Sequence, residues 1–166
     1  MGTRALSNDD GIIRCDTPLG VVTLAASPLG LRGMWFEGQR HFPELSGAAE
    51  SVDNPLLNAA ATQLAEYFTG VRRAFDLALD LSHGTPAQQH VWKALLAIPY
   101  GSTTSYAALA TSMGRPTAAR SVAAAIGRNP LSIIVPCHRV LGSDGSLTGY
   151  AGGLQRKQAL LELERG

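Results

Sequence analysis

A thiol, an imidazole and a guanidinium stand in a row at Cys137-His138-Arg139. The thiolate is the nucleophilic form of cysteine, and cations on both sides of Cys137 in space are expected to favour it by lowering the thiol pKa. A free cysteine is more often a small buried hydrophobe, but an inert core position has little use for two adjacent polar side chains. The approach to the thiol is also distinctive. Asn129-Pro130 is a turn signal, and Leu131-Ser132-Ile133-Ile134-Val135 is an apolar run, broken only by Ser132, that reads as buried. Pro136 then stiffens the backbone and ends any hydrogen-bonded ladder directly before Cys137. This pattern suits nucleophilic chemistry at a positioned cysteine. The other cysteine, Cys15, shares no CxxC spacing with it and has no nearby histidine pair. Neither a zinc site nor a disulfide framework is expected, and no metal or organic cofactor is implied.

The elements that must hold this segment read mostly as helices. Thr85 can cap a helix with Pro86 in its first turn, and Val91, Trp92, Leu95 and Leu96 supply its buried face until Ile98-Pro99-Tyr100-Gly101 ends it. Residues 105–110 form a short helix, 112–115 a turn, and 116–126 a second helix, which is the layout of a helix-turn-helix. On the second helix Ala119, Val122 and Ile126 are expected to pack inward. Arg120, Ala123, Ala124 and Gly127 share the other face, at offsets of three, four and seven. A reader of the major groove needs several Arg, Asn or Gln side chains there. One arginine among nearly bare residues can press close to a surface without reading its sequence, which suits the minor groove. Residues 141–146 then form a turn and 147–153 a glycine-rich loop. A last helix over 154–164 places Leu160, Leu161 and Leu163 inward.

The first half shows no chemistry. Residues 1–10 read as a loose end, without the layout of a signal peptide, and Leu6 spoils a myristoylation motif. Three apolar runs within residues 12–36, separated by Pro/Gly turns, predict an antiparallel meander. Residues 55–69 predict a helix with Leu57, Ala60, Ala61, Leu64 and Phe68 on one stripe. Phe75, Leu77, Leu79 and Leu81 alternate with polar or small residues and predict a half-exposed strand. Cys15, His41 and His83 read as structural or solvated. Up to His83 six Lys+Arg face ten Asp+Glu, so 6 − 10 = −4; from Gly84 onward eight face three, so 8 − 3 = +5. The basic second half suits a polyanionic partner. The expected fold class is α+β, with a sheet-plus-helix domain over 1–83 and a mostly helical, winged-helix-like domain over 84–166. The longest apolar runs are too short to span a bilayer, and a cytoplasmic protein without membrane association is expected.

The string Pro136-Cys137-His138-Arg139-Val140, preceded by Asn129-Pro130 and followed by Gly149-Tyr150-Ala151-Gly152-Gly153-Leu154, resembles the O6-alkylguanine-DNA alkyltransferases. The resemblance is specific from about residue 84 to 164 and rests on pattern before that. It implies repair of double-stranded DNA carrying O6-alkylguanine, and O4-alkylthymine as well, by a monomer that binds the minor groove without sequence specificity. The alkyl group passes irreversibly to Cys137, once per molecule. In the family's pattern His138 takes the thiol proton through a water, Glu164 orients the imidazole, and Asn129 bonds the backbone around the cysteine turn. The offset from Tyr150 favours Glu164 over its neighbour Glu162. Tyr106 helps rotate the nucleotide out and bonds the guanine, and Arg120 holds the vacated place in the stack. Flipping is physically required because the O6 alkyl carbon is buried in the duplex. Ala119, Ala123, Arg115 and Ser143 complete the implied DNA contacts, and Val140, Tyr150, Ala151, Ile126 and Ser132 the alkylguanine pocket. Ala123, Ala87, Ser132 and Ala151 depart from residues common in the family, and these departures bear on rate and substrate range. Three other readings are weaker. A non-catalytic lesion-binding relative lacks the thiol, a helix-turn-helix regulator needs a richer reading face, and a cysteine hydrolase normally draws its base from elsewhere in the fold.

Overall fold

Two short turns set the first three strands. β1 (Gly11–Thr17), β2 (Gly20–Ser27) and β3 (Gly30–Phe36) pair antiparallel, with Thr17 opposite Gly20 and Ser27 opposite Gly30. At the second turn Gly30 has φ +156, and a Cβ there would meet the Ala78 carbonyl oxygen at 2.8 Å. A two-residue strand, β4 (Ala49–Glu50), adds parallel to β1, giving the order β3-β2-β1-β4. The meander is thus as expected, and β4 is an addition that two polar-flanked residues did not signal. The helix α1 (Pro55–Phe68) packs on β1 and β2. Asn54 caps it, accepting from the N–H groups of Leu56 and Leu57 at 2.9 and 3.1 Å, which satisfies two of the orphan donors of the first turn. Its buried stripe is Leu57, Ala60, Leu64 and Tyr67, with Phe68 only half-buried.

The computed structural model describes residues 5–166, so the part of the expected loose end at 1–4 lies outside the described residues. From Ala5 onward the segment is held. Leu6 is buried and its N–H donates to the Glu44 carbonyl, and the buried Asp10 carboxylate pairs with Arg32 at 2.7 Å. The strand expected over residues 75–81 does not form. It reduces to one parallel bridge, Leu31 with Leu79, made by Leu31 N–H to Ala78 O and Asp80 N–H to Leu31 O, both 2.8 Å. Asp80, expected on the open face, is buried, because its carboxylate accepts from the hydroxyls of Ser27 and Ser82 and from the Ser82 N–H. Side chain to backbone bonding of this kind competes with a ladder.

Two compact units result, one ending at His83 and one running from Gly84 to Gly166. The second holds α2 (Pro86–Leu95), α3 (Tyr106–Ser112), α4 (Ala119–Gly127) and α5 (Leu154–Arg165). It also holds a 3-10 turn (Cys137–Arg139) and a parallel pair, β5 (Thr104–Ser105) with β6 (Val140–Leu141). Thr85 and Gln88 form a reciprocal capping box on α2. Trp92 ties α2 to α4, its indole N–H donating to the Ala125 carbonyl at 2.8 Å. Leu96, expected inside, is exposed past the end of α2. The second helix of the helix-turn-helix begins at Ala119, three residues later than expected. Ala118 N–H closes a turn on the Arg115 carbonyl, and Ala118 offers no capping side chain. Among the described residues no helix is long and apolar enough to cross a membrane.

Candidate active site

Residues 129–140 are buried without a break. Their path contains two three-residue turns. Ile133 has φ 70, and Ile134 N–H donates to the Ser132 carbonyl at 2.8 Å across it. A γ-turn with positive φ is rare, and on a β-branched residue it costs about 1–3 kcal/mol. Pro136, at φ −81 and ψ 63, forms the inverse turn, with Cys137 N–H donating to Val135 O at 2.8 Å. The proline ring is already set for that geometry. Asn129 staples the two turns together. Its Oδ1 accepts from Leu131 N–H at 3.0 Å, and its Nδ2 donates to Val135 O at 2.8 Å. The apolar run is therefore a coiled approach rather than a strand.

This path delivers Cys137 to the first position of the 3-10 turn, 6% exposed. Burial pushes its thiol pKa up, against opposing pulls from a hydrogen bond to the Asn129 side chain and from the charge of Lys157. The expectation of a lowered pKa is thus corrected, and so is its cause. Arg139 does not flank the thiol. Its Nε and NH2 donate to the two oxygens of Glu164 at 2.8 and 3.0 Å, and its NH1 donates to the Ile98 carbonyl at 2.7 Å. This bidentate pair, with Gly101 N–H at 3.4 Å, fixes the Glu164 carboxylate.

Glu164 also receives His138. The ring Nε2 lies 2.7 Å from Glu164 Oε2, inside fully buried surroundings. A carboxylate can only accept, so Nε2 carries the hydrogen and Nδ1 carries the lone pair. That Nδ1 is buried without a hydrogen-bond partner. Burial lowers the pKa of His138 more than Glu164 raises it. The imidazole is therefore neutral, correctly oriented and open at one nitrogen, which is the state of a general base.

The other expected residues lie on the helices and loops of the same unit. Tyr106, at the start of α3, donates its hydroxyl to the Thr148 carbonyl at 3.1 Å. Val140 is fully buried, and Ser132 and Ile126 are buried too. Ala151 is half-buried. The Tyr150 hydroxyl is shut off from solvent without a hydrogen bond of ordinary geometry. Its ionisation is pushed well up by burial first and by Cys137 second, with Ser132 drawing it back. Arg120 projects from α4, exposed and without a carboxylate partner among the described residues. Ala124 and Gly127 share its open face, Ala123 and Ala119 are half-buried, and Val122, Ala125 and Ile126 face inward. Arg115 and Ser143 are exposed. Among the described residues no three His, Cys, Asp or Glu side chains gather to hold a metal ion.

One residue of the centre escaped sequence reasoning. The inner stripe of α5 is Lys157, Leu160, Leu161 and Glu164, with Leu163 half-buried. Lys157 stands three and four residues before the two leucines and seven before Glu164. That spacing marked it as inward-facing, had the charge not hidden it.

Residues 86–166 match the 6-O-methylguanine DNA methyltransferase DNA-binding domain, and residues 13–81 match that family's ribonuclease-like domain. A methylated-DNA–protein-cysteine methyltransferase of Mycobacterium tuberculosis is 49% identical over 150 residues, covering 90% of this chain and 89% of its own. The chain belongs to the methylated-DNA–protein-cysteine methyltransferase family. A member from Methanosarcina barkeri is 46% identical, covering 90% of this chain and 93% of its own. The crystal structure of Mycobacterium tuberculosis OGT in complex with DNA superposes with a TM-score of 0.78 at 47% identity, covering 94% of this chain and 92% of that one. Cys137, His138, Glu164 and Lys157 all fall inside the stretch matched to the methyltransferase family's DNA-binding domain.

Proposed function

We propose that this chain repairs O6-alkylguanine in double-stranded DNA by taking the alkyl carbon onto Sγ of Cys137. The observation that carries the reading is the buried thiol next in sequence to a neutral histidine whose Nε2 is engaged by Glu164 and whose Nδ1 is open. The thiol proton passes through a bridging water to Nδ1 of His138, because adjacent side chains rarely aim at each other. The new S–C bond forms as the C–O6 bond breaks, and the electron pair leaves with guanine on O6. The Tyr106 hydroxyl and the loop carrying Tyr150 stabilise that developing charge, and the proton held by His138 finally neutralises it. The product is a thioether with no good leaving group, so each molecule reacts once. O4-alkylthymine presents a similar carbon and is a second substrate. The bare face of α4 enters the minor groove of DNA without reading sequence, and Arg120 fills the place of the flipped nucleotide. The protein acts as a monomer.

Intact mass after incubation with an oligonucleotide carrying O6-methylguanine tests the reading. The expected result is one added methyl per chain, mapped to the peptide holding Cys137 and absent in Cys137→Ala. Adduct on Cys15, or turnover beyond one per chain, overturns it.

Arg120→Ala is expected to slow repair of duplex DNA by about tenfold or more, because the cost of holding the duplex open, a few kcal/mol, is no longer offset. Reaction with free O6-benzylguanine should be unchanged, since no stack needs filling. Equal slowing of both would place Arg120 in the chemistry instead.

A further inference from the structure

α4 has no side-chain cap at the end that carries Arg120, and it is nine residues long. Helices shorter than about 12 residues are marginal in water, so their placement depends on packing. α2 and α3 supply that packing. Two polar fastenings to neighbouring segments lie at the other end. Asn129 N–H donates to the Ile126 carbonyl at 3.1 Å. The Trp92 indole N–H donates to the Ala125 carbonyl at 2.8 Å. Both carbonyls belong to the last turn, where a helix lacks donors of its own. One fastening leads to the cysteine turn and the other to α2.

A buried indole usually finds a partner for its N–H, and simple satisfaction would explain the bond. It does not explain the shape built around the ring. Trp92 is 3% exposed, and the chain at Gly84 lies so close that a Cβ there would meet carbons of the six-membered ring at 2.3 and 2.5 Å. The Gly84 carbonyl is held in turn by the Gln89 side chain of α2 at 2.8 Å. The indole is therefore clamped by backbone that only glycine permits, with its N–H on one carbonyl of α4. A ring pinned in this way sets the last turn of α4 against α2. Arg120 stands five residues before Ala125. A small tilt at the anchor thus becomes a larger displacement of the guanidinium.

We infer that Trp92 is a positioning residue for opening the duplex: its indole N–H, held in place by Gly84, fixes the last turn of α4 so that Arg120 meets the DNA at a set depth. This rests on α4 being the helix that enters DNA. A free base needs no such depth, because no stack has to be opened.

Trp92→Phe keeps an aromatic ring and removes the N–H. Its repair of a duplex carrying O6-methylguanine should be slower by about three- to tenfold, the factor that one hydrogen bond is worth. Its reaction with free O6-benzylguanine should stay at the native rate. A merely structural bond would lower the melting temperature and slow neither reaction, or slow both alike, and either result overturns the inference. Gly84→Ala, which displaces the ring, should slow duplex repair to a similar degree and add nothing to Trp92→Phe. Additive slowing would overturn the role given to Gly84. Should the variants not fold, native protein carrying isotope-labelled tryptophan answers the question. Duplex DNA should shift the indole N–H signal of Trp92, and a signal that DNA leaves unmoved overturns the inference. Native duplex repair by Arg120→Ala would count against α4 as the helix that opens DNA, and so against the reading beneath the inference. Native duplex repair by Trp92→Phe beside a slowed Arg120→Ala overturns the inference alone.

Discussion

Glu164→Ala should lower the melting temperature steeply and Glu164→Gln should nearly abolish alkyl transfer. One carboxylate holds His138 Nε2, two nitrogens of Arg139 and the Gly101 N–H. Alanine leaves the Arg139 guanidinium, whose side chain is 9% exposed, without its counter-charge. Breaking a buried pair from one side costs about 3–5 kcal/mol, and at roughly 2–4 °C per kcal/mol the loss is on the order of 6–20 °C. Glutamine keeps the shape and one acceptor oxygen, so it should retain more stability. Its amide, however, presents N–H groups to partners that are themselves donors. His138 relieves the clash by moving its hydrogen to Nδ1, the nitrogen that must accept the thiol proton. A wrong histidine tautomer in a comparable arrangement costs about 10⁴ in rate, so a loss of about 10²–10⁴ with O6-benzylguanine is expected. A Glu164→Gln protein that transfers alkyl at the native rate would sink the proton path through His138. The same histidine gives the unit an acid dependence. Its folded pKa lies below the unfolded value of 6.5, so the unfolded chain binds more protons in that window. Stability is full above about 6.5 and falls as pH drops below it. Melts across that range should show this slope, flattened in His138→Gln.

Much of this was visible in the chain itself, for local reasons. Pro/Gly turns separate three apolar runs, and the meander follows. Thr85 precedes the helix that it caps, as expected, whereas Asn54, expected in a loop, and Ser105, expected inside its helix, cap theirs as well. What was hidden depends on partners distant in sequence. Residues 75–81 alternate like a strand, yet Asp80 finds Ser27 and turns inward. Cys137 looked activated by its neighbours, but Arg139 spends its donors on Glu164, 25 residues away, and the charge acting on the thiol comes from Lys157. Glu164 itself came into view only through family resemblance, since nothing local distinguishes it from Glu162. The positive φ of Ile133 carries no sequence mark at all, because an isoleucine is among the residues least suited to it.

That same strained path leads to the last expectation, that repair destabilises the protein. Alkylated protein should melt several degrees below unmodified protein. The thiol has little room: Cys137 is 6% exposed, every residue from 129 to 140 is buried, and the Asn129 side chain bonds both the thiol and the backbone on which the turn is built. A carbon added to sulfur is expected to push against Asn129, against the loop whose Thr148 and Gly149 carbonyls accept from Lys157, or against the proline turn. Overpacking of a tight site costs about 1–3 kcal/mol, which at roughly 2–4 °C per kcal/mol is a fall of several degrees. The γ-turn at Ile133 acts in the same direction, because a conformation that already stores strain has cheaper ways to let go. The disturbance has a short route to the DNA face, since Asn129 N–H bonds the Ile126 carbonyl in the last turn of α4. Alkylated protein should therefore release DNA more readily as well. Thermal melts and DNA titrations of unmodified and stoichiometrically alkylated protein measure both effects, with Cys137→Ala separating added bulk from mere loss of the thiol. If the alkylated form melts at or above the unmodified one, the pocket has slack and the packing argument fails. If Cys137→Ala alone reproduces the whole fall, the lost thiol contacts, not the added carbon, destabilise the turn.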